Sequence, residues 1–259
     1  MCHVRTYENR GGPQSPSPRD KYITIYGRMP VLEALNDSSL RVAKVIVADN
    51  SSGRSLDDIV RTAKRRSIPV EWTTANRVKL LAGNGRQDQG VAADIEAPRM
   101  LPLRSFLADR GRKPTNVFLL DGVTNPSNVG MILRTATGAG FDGVVLPRAG
   151  TPHVGPLVIK ASAGVAFNAP IVNAPTAAEA VDQLRGAGYR IYGLSARSRW
   201  SVFNADLAQK AVYVLGAETG GLSVETDTDL SIPLRAGVES LNVAVAAAVV
   251  AFEVVNRTR

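Results

Sequence analysis

The chain is poor in the residues that build thiol, metal and membrane chemistry. It has one cysteine among 259 residues, Cys2, so no intrachain disulfide can form, which fits a reducing compartment. Cys2 and the two histidines, His3 and His153, are too few and too scattered for a tetrahedral zinc site. The same scarcity argues against a cysteine protease or a redox dithiol. The longest apolar run is Val243–Phe252, far short of the ~20 residues that cross a bilayer. Residues 1–20 hold Arg, Pro, Gly and Ser around no apolar centre, so they read as a flexible tail and not as a signal peptide. These absences point to a soluble, cytoplasmic protein with neither metal nor membrane as partner.

Hydrophobic residues make up 44% of the chain, enough for a sizeable core. The formal charge is +8, and it is unevenly placed. Residues 1–113 carry 20 Lys/Arg against 12 Asp/Glu; residues 114–259 carry 11 of each. A basic excess attracts polyanions, of which nucleic acid is the commonest in cytoplasm, although a solvated basic surface would look the same.

Strand and helix patterns alternate in two blocks. Tyr22–Ile25, Lys44–Ala48, Pro69–Trp72 and Gly90–Ile95 read as strands. Pro30 suits a first helical turn, and Ser55 reads as the N-cap of a helix through Ala63. Residues 21–96 are therefore expected to form a small α/β domain. Residues 97–113, with Pro98 and five basic residues, read as a linker holding one short helix. A second block, 114–259, has apolar runs at Asn116–Asp121, Gly143–Pro147, Arg190–Leu194 and Ala211–Leu215, the mark of buried parallel strands. Helices fit at Asn128–Ala139, Thr176–Ala187 and Leu241–Val255.

Common catalytic signatures are missing. The sequence Gly138-Ala-Gly140-Phe-Asp-Gly143 has dinucleotide-loop spacing but follows a helix and opens a strand, the reverse of what that motif needs. A nicotinamide-dependent oxidoreductase is therefore disfavoured. Three other segments each run from a strand end into a loop, where ligands of open α/β sheets bind. The first is Leu120 to Arg134. In it Asn128 could cap a helix or meet substrate, Gly130 permits close backbone approach, and Arg134 sits among apolar neighbours where a charge wants a partner. The second is Val214-Leu215-Gly216-Ala217-Glu218-Thr219-Gly220-Gly221-Leu222-Ser223. The third is Ile232 to Val243, in which Ser240 is a plausible N-cap and Asn242 an amide that should be hydrogen-bonded.

Read together, N-P-x-N-x-G-x-x-x-R, L-G-x-E-x-x-G-L and I-P-x-x-x-x-x-S-L-N-V resemble the three signature motifs of the SpoU/TrmH family of RNA 2′-O-ribose methyltransferases. The resemblance covers about residues 116–256. Ile25-Tyr26-Gly27-Arg28 and Gln89-Gly90-Val91 resemble, more loosely, the ribosomal-protein-like RNA-binding domain that precedes many such catalytic domains. Asp88 stands where many members have His, and Ala244 where many have Ser.

The resemblance implies a trefoil-knotted, mostly parallel α/β (SPOUT) catalytic domain, S-adenosyl-L-methionine as cofactor, and usually a homodimer. It places the cofactor at Leu194, Ser195, Gly216, Ala217, Ile232, Leu234 and Leu241. It gives Arg134 the target phosphate or hydroxyl, with Asn128 orienting that arginine or the ribose, Glu218 pairing with Arg134 or a nearby donor, and Ser240 and Asn242 completing the site. An arginine with a pKa above ~12 is a poor base at neutral pH, so positioning is the expected role. The basic N-terminal half favours ribosomal RNA as substrate over transfer RNA. A non-catalytic RNA-binding or ribosome-assembly protein on the same fold is the alternative from another class.

Overall fold

The computed structural model describes residues 21–82, 88–110, 113, 115–217, 220–235 and 237–257. Two sheets organise it. The first has four strands in the order β1-β4-β2-β3, with β1 Tyr22–Tyr26, β2 Val42–Ala48, β3 Val70–Thr73 and β4 Val91–Glu96. Alternation on β1 turns Ile23 and Ile25 into the core and leaves Tyr22, Thr24 and Tyr26 on the other face. Helices α1 (Arg28–Asn36) and α2 (Arg54–Arg65) pack together beside this sheet. Their junction is tied by Arg66, whose guanidinium donates to the carbonyls of Leu35 (2.6 Å) and Leu40 (3.1 Å) just past α1. That satisfies acceptors a helix end otherwise leaves open. The α2 N-cap is Gly53, not Ser55, which lies inside the first turn. A short helix, α3 (Ala75–Ala82), completes this unit and had no clear periodic signal.

The two pieces of the looser resemblance meet in space. The Gly27 amide donates to Val91 O (3.0 Å), and the Arg28 amide donates to Gln89 Oε1 (3.0 Å). Gly90 has a φ of +74°, and a Cβ there would lie 1.8 Å from Ser51 Oγ, so only glycine fits.

The second sheet has seven strands in the order β11-β9-β10-β6-β7-β8-β5, and every neighbouring pair is parallel. Its strands are β5 Leu101–Pro102, β6 Thr115–Asp121, β7 Gly143–Pro147, β8 Ile171–Ala174, β9 Arg190–Leu194, β10 Lys210–Gly216 and β11 Thr228–Leu230. The centre is buried on both faces: Val117, Phe118, Leu119 and Leu120 of β6 and Val212, Tyr213 and Val214 of β10 are inaccessible to solvent. Residues 97–113, expected as a linker, also supply β5 at the sheet edge and α4 (Leu103–Arg110), whose Leu103 and Phe106 enter the core.

The helices of this unit are α5 (Pro126–Ala139), α6 (Pro156–Ala161), α7 (Ala177–Gly186) and α8 (Val243–Arg257). Helices α5, α6 and α8 pack as one group, with α5 touching both others. Local signals set their ends. Asn125 caps α5 by accepting from the Ser127 amide (2.9 Å), Pro126 opens it, and Gly140 closes it with a φ of +75°. Asn128 therefore is not the cap. Gly130 is the contact point with α6: a Cβ there would lie 2.5 Å from Val158 O and 2.7 Å from Ala161 Cβ. The close backbone approach expected at Gly130 is thus helix against helix.

Gly130→Ala should force α5 and α6 apart and cost about 1–3 kcal/mol, the usual range for overpacking. Urea denaturation measures it; an unchanged midpoint would mean the helices separate freely.

Candidate active site

The three motif segments converge on the carboxyl edge of the parallel sheet. Strands β6, β10, β9 and β11 are consecutive neighbours, so Asp121, Gly216, Leu194 and Leu230 lie at the same edge. Register makes this tight: Gly216 stands opposite Asp121, and Leu230 opposite Leu194.

Two braces hold the loops that follow. The first is the carboxylate of Asp121, buried at the end of β6. It accepts from the Ser223 hydroxyl (2.6 Å) and from the Ser223 amide, joining the first motif to the second across 102 residues. The second is the amide pair Asn128–Asn242. Asn128 is 3% exposed and accepts at Oδ1 from Asn242 Nδ2 at 3.1 Å. Asn242 Oδ1 accepts from the amides of Ala244 (2.9 Å) and Val245 (3.4 Å). Those backbone donors fix which end of the Asn242 amide is which. Asn242 is thus the N-cap of α8, a role expected for Ser240, which is exposed and lies outside any element. Asn242 itself is exposed, not a core amide.

The expected cofactor positions lie on this edge or next to its braces. Leu194 ends β9, Ser195 follows it, and the Ser195 amide donates to Leu230 O (2.9 Å). Gly216 ends β10, and Ala217 exchanges two backbone bonds with Gly221 (3.1 and 3.2 Å). A Cβ on Gly216 would lie 2.7 Å from Gly221 O, so the turn requires glycine. Gly122, with a φ of +73°, brings the first loop against Ala217, whose Cβ would be 3.3 Å from a Cβ there. Ile232 and Leu234 follow β11 in irregular chain, and Leu241 directly precedes Asn242. All seven residues are half-buried.

Arg134 lies on the solvent-facing side of α5, in line with exposed Met131 and Gly138. It forms no ion pair among the described residues, so its apolar sequence neighbours face the core while it does not. Glu218, the expected partner, lies outside the described residues.

Asp121 and Ser223 were not singled out from the sequence as site residues. A carboxylate ending an apolar strand is a visible signal, but its partner is not. Gly193 was also missed. A Cβ there would lie 2.5 Å from Asp229 Oδ1 and 2.6 Å from Leu222 Cδ1, so this glycine lets the chain after β10 cross over β9 to reach β11. A glycine inside a strand hints at such an approach.

Together these features define a class: an α/β enzyme whose ligand loops occupy the carboxyl edge of a parallel sheet, supplied with a small sheet domain at its N-terminal side. The SpoU rRNA methylase family matches residues 115–252, and the domain described as RNA 2′-O ribose methyltransferase substrate binding matches residues 24–101. The chain is 33% identical over 239 residues to the 23S rRNA (guanosine-2′-O-)-methyltransferase RlmB of Xylella fastidiosa, covering 90% of this chain and 96% of that one. It is 30% identical to a Staphylococcus aureus protein assigned to the TrmH family of tRNA/rRNA methyltransferases, covering 89% and 94%. Among solved structures, the fold matches the SpoU methyltransferase AviRb from Streptomyces viridochromogenes, bound to AdoMet, with a TM-score of 0.60 at 23% identity and coverage of 92% and 90%. An AdoMet-bound rRNA methyltransferase from Sinorhizobium meliloti gives 0.59 at 23%, with coverage of 92% and 87%. The chain belongs to the SpoU rRNA methylase family and is an RNA 2′-O-ribose methyltransferase.

Asn242→Ala removes a helix cap and takes from the buried Asn128 Oδ1 the donor at 3.1 Å. The expected cost is about 2 kcal/mol, with the two losses not additive. Asn242→Asp keeps the cap but cannot donate to Asn128, so it should fall between. Stability of Asn242→Ala equal to wild type would show that the amide pair holds nothing.

Proposed function

We propose that the chain methylates a ribose 2′-oxygen in large-subunit ribosomal RNA, using S-adenosyl-L-methionine. The observation that carries this is the braced carboxyl edge, where Asp121–Ser223 and Asn128–Asn242 hold all three motif loops in place. The near full-length match to a relative named for 23S rRNA supports the substrate class.

The residues fit an adenosine-type donor. Leu194, Ile232, Leu234 and Leu241 offer half-buried apolar side chains for a base. The irregular backbone after β9, β10 and β11 offers amides and carbonyls for a ribose, and Gly216 keeps the β10 turn free of a side chain. When bound, the cofactor supplies a methyl group already activated on a sulfonium, with a neutral thioether as leaving group. What the protein adds is alignment. Arg134 carries a permanent charge and five donors. On the exposed face of α5 it holds an RNA phosphate or the target hydroxyl and favours the developing alkoxide electrostatically. Asn128 and Asn242 act on Arg134 by fixing where α5 starts relative to α8. Glu218 and Ser240 belong to the same reading as polar groups around the reacting ribose.

The finer features of the family follow in the same reading. Strand β10 lies between β9 and β6, the chain crosses β9 at Gly193, and α8 returns onto α5; this supports threading as a trefoil knot. Exposed Met131 on α5, Leu157 on α6 and Val245 and Phe252 on α8 lie on helices that pack as one group. Exposed apolar side chains on packed helices support a homodimer through this helix group. No helix among the described residues is long and apolar enough to cross a membrane, and a ribosomal RNA substrate supports a cytoplasmic location.

Labelled S-adenosylmethionine offered with total rRNA and, separately, with tRNA tests the substrate, followed by mapping of 2′-O-methyl positions. Label on a 23S ribose is expected; label confined to tRNA would overturn the substrate class. Arg134→Ala should lower turnover about 10²-fold or more, with cofactor affinity and the unfolding midpoint unchanged. Retained turnover would remove Arg134 from the mechanism.

A further inference from the structure

Residues 195–209 lead from the carboxyl end of β9 to the start of β10 without forming a helix or strand. They are nevertheless firmly held. The Ser231 amide donates to Trp200 O (2.7 Å), the Val202 amide to Ser231 O (2.9 Å), and Ser198 Oγ to Asp229 O (2.6 Å). From α8, Arg257 donates to the carbonyls of Ala205 (2.5 Å) and Val202 (2.6 Å). A loop anchored at so many backbone groups presents its side chains in a fixed arrangement.

What it presents is unusual for a water-facing surface. Trp200 is 51% exposed and Phe203 44%, with exposed Arg197 and Arg199 beside them. The Arg199 guanidinium carbon lies 5.0 Å from the Trp200 ring centroid, a formed cation–π pair. Trp200 also borders a cavity of about 450 Å3, with Arg190, Tyr192, Leu207 and Thr228 in its wall and Asp206 as its carboxylate.

Chemistry and position identify the occupant. A half-exposed indole offers a stacking face to any planar ring, and arginines favour an anion; a planar ring joined to an anion is a nucleotide. Within the loop the arginines outweigh the acids, since Asp206 is the single acid between Ser195 and Lys210 against Arg197 and Arg199. Trp200 is bonded to Ser231, the residue before the Ile232–Leu234 cofactor loop. Meanwhile the N-terminal domain borders the ends of β7 and β8, near the opposite edge of the sheet, across a cavity that Tyr22, Asp94, Arg148 and Asn173 help to line. Seven strands spaced about 4.8 Å apart span about 29 Å. RNA held by that domain and crossing the motif loops at the sheet centre would next meet Trp200.

We propose that Arg197, Arg199 and Trp200 form a second RNA-docking point, where an unpaired nucleotide stacks on the indole with its phosphates at the arginines. This rests on the RNA methyltransferase reading and adds a contact outside the motifs. The chain has two tryptophans, so Trp72→Phe makes Trp200 the only indole fluorophore. Titrating that variant with a fluorescently labelled 12-nucleotide oligo(A) RNA reads stacking by indole quenching and binding by anisotropy of the label. Indole emission should fall by about half or more at saturation. In an otherwise wild-type chain, Trp200→Ala and the double change Arg197→Gln/Arg199→Gln should each weaken oligonucleotide binding about tenfold, while S-adenosylmethionine binding and oligomeric state stay unchanged. Binding without quenching, no binding at all, or wild-type affinity in the arginine variant would overturn the proposal. Quenching only on raising protein concentration would assign the surface to another copy of the chain and overturn it as well. The two readings fail separately: quenching without rRNA methylation would leave the docking point standing, and methylation by Trp200→Ala with wild-type KM would remove it and leave the enzyme.

Discussion

The site depends on a buried amide whose hydrogen bonding reaches far along the chain. Asn128 lies inside the first turn of α5, where its side chain is 3% exposed. A buried polar group without a partner costs about 1–3 kcal/mol. Its partner is Asn242, 114 residues later, which caps α8 with its other end. One amide thereby sets the starts of two helices against each other. Arg134 is on one of them, less than two turns from the pinned end, so its position is inherited from that bond. The Asp121–Ser223 brace works the same way on the loop side, holding the second motif over the end of β6.

Glycines make these braces geometrically possible. Gly130 lets α6 lie on α5, Gly193 lets the 222–229 segment cross β9, and Gly216 allows the Ala217–Gly221 turn. Each would place a Cβ within 3 Å of another part of the chain. The site is thus built from backbone brought unusually close, with a few buried polar side chains closing the gaps. Such sites suit recognition by main-chain groups, whose positions fluctuate less than those of side chains.

Much of this was legible in the sequence. Apolar runs gave the central parallel strands, the end of α5 at Ala139 was expected although its start lies at Pro126 and not Asn128, and the three motif segments marked the ligand edge. What escaped was short or non-local. Strand β5 has two residues and α6 six, too few to show a period. Ser240 and Asn242 both precede the apolar run of α8, and nothing local says which one caps it; the choice is made by Asn128, far away in sequence. Arg134 looked as if it needed an internal partner because its sequence neighbours are apolar. On a helix, however, Ile132 and Leu133 face the core while Met131 and Arg134 face out. Sequence adjacency misreads helical geometry at such positions.

That outward placement has a consequence for how the enzyme divides its labour. The catalytic half carries no net charge, and the basic excess lies in residues 1–113. Long-range attraction of RNA therefore belongs mainly to the N-terminal part, where counterion release gives affinity without sequence preference. At the sheet edge, single arginines are spent on position. Arg134 makes no ion pair among the described residues, so an arriving phosphate meets a guanidinium that does not first have to leave an internal carboxylate among them. Leaving such a charge solvated costs the free protein little. Where bound RNA displaces water from around it the pairing strengthens, because a charge interaction grows as the local dielectric falls. Bound to a phosphate, the arginine tightens binding; it speeds the reaction only insofar as its hold strengthens further while the 2′-oxygen loses its proton and gathers charge.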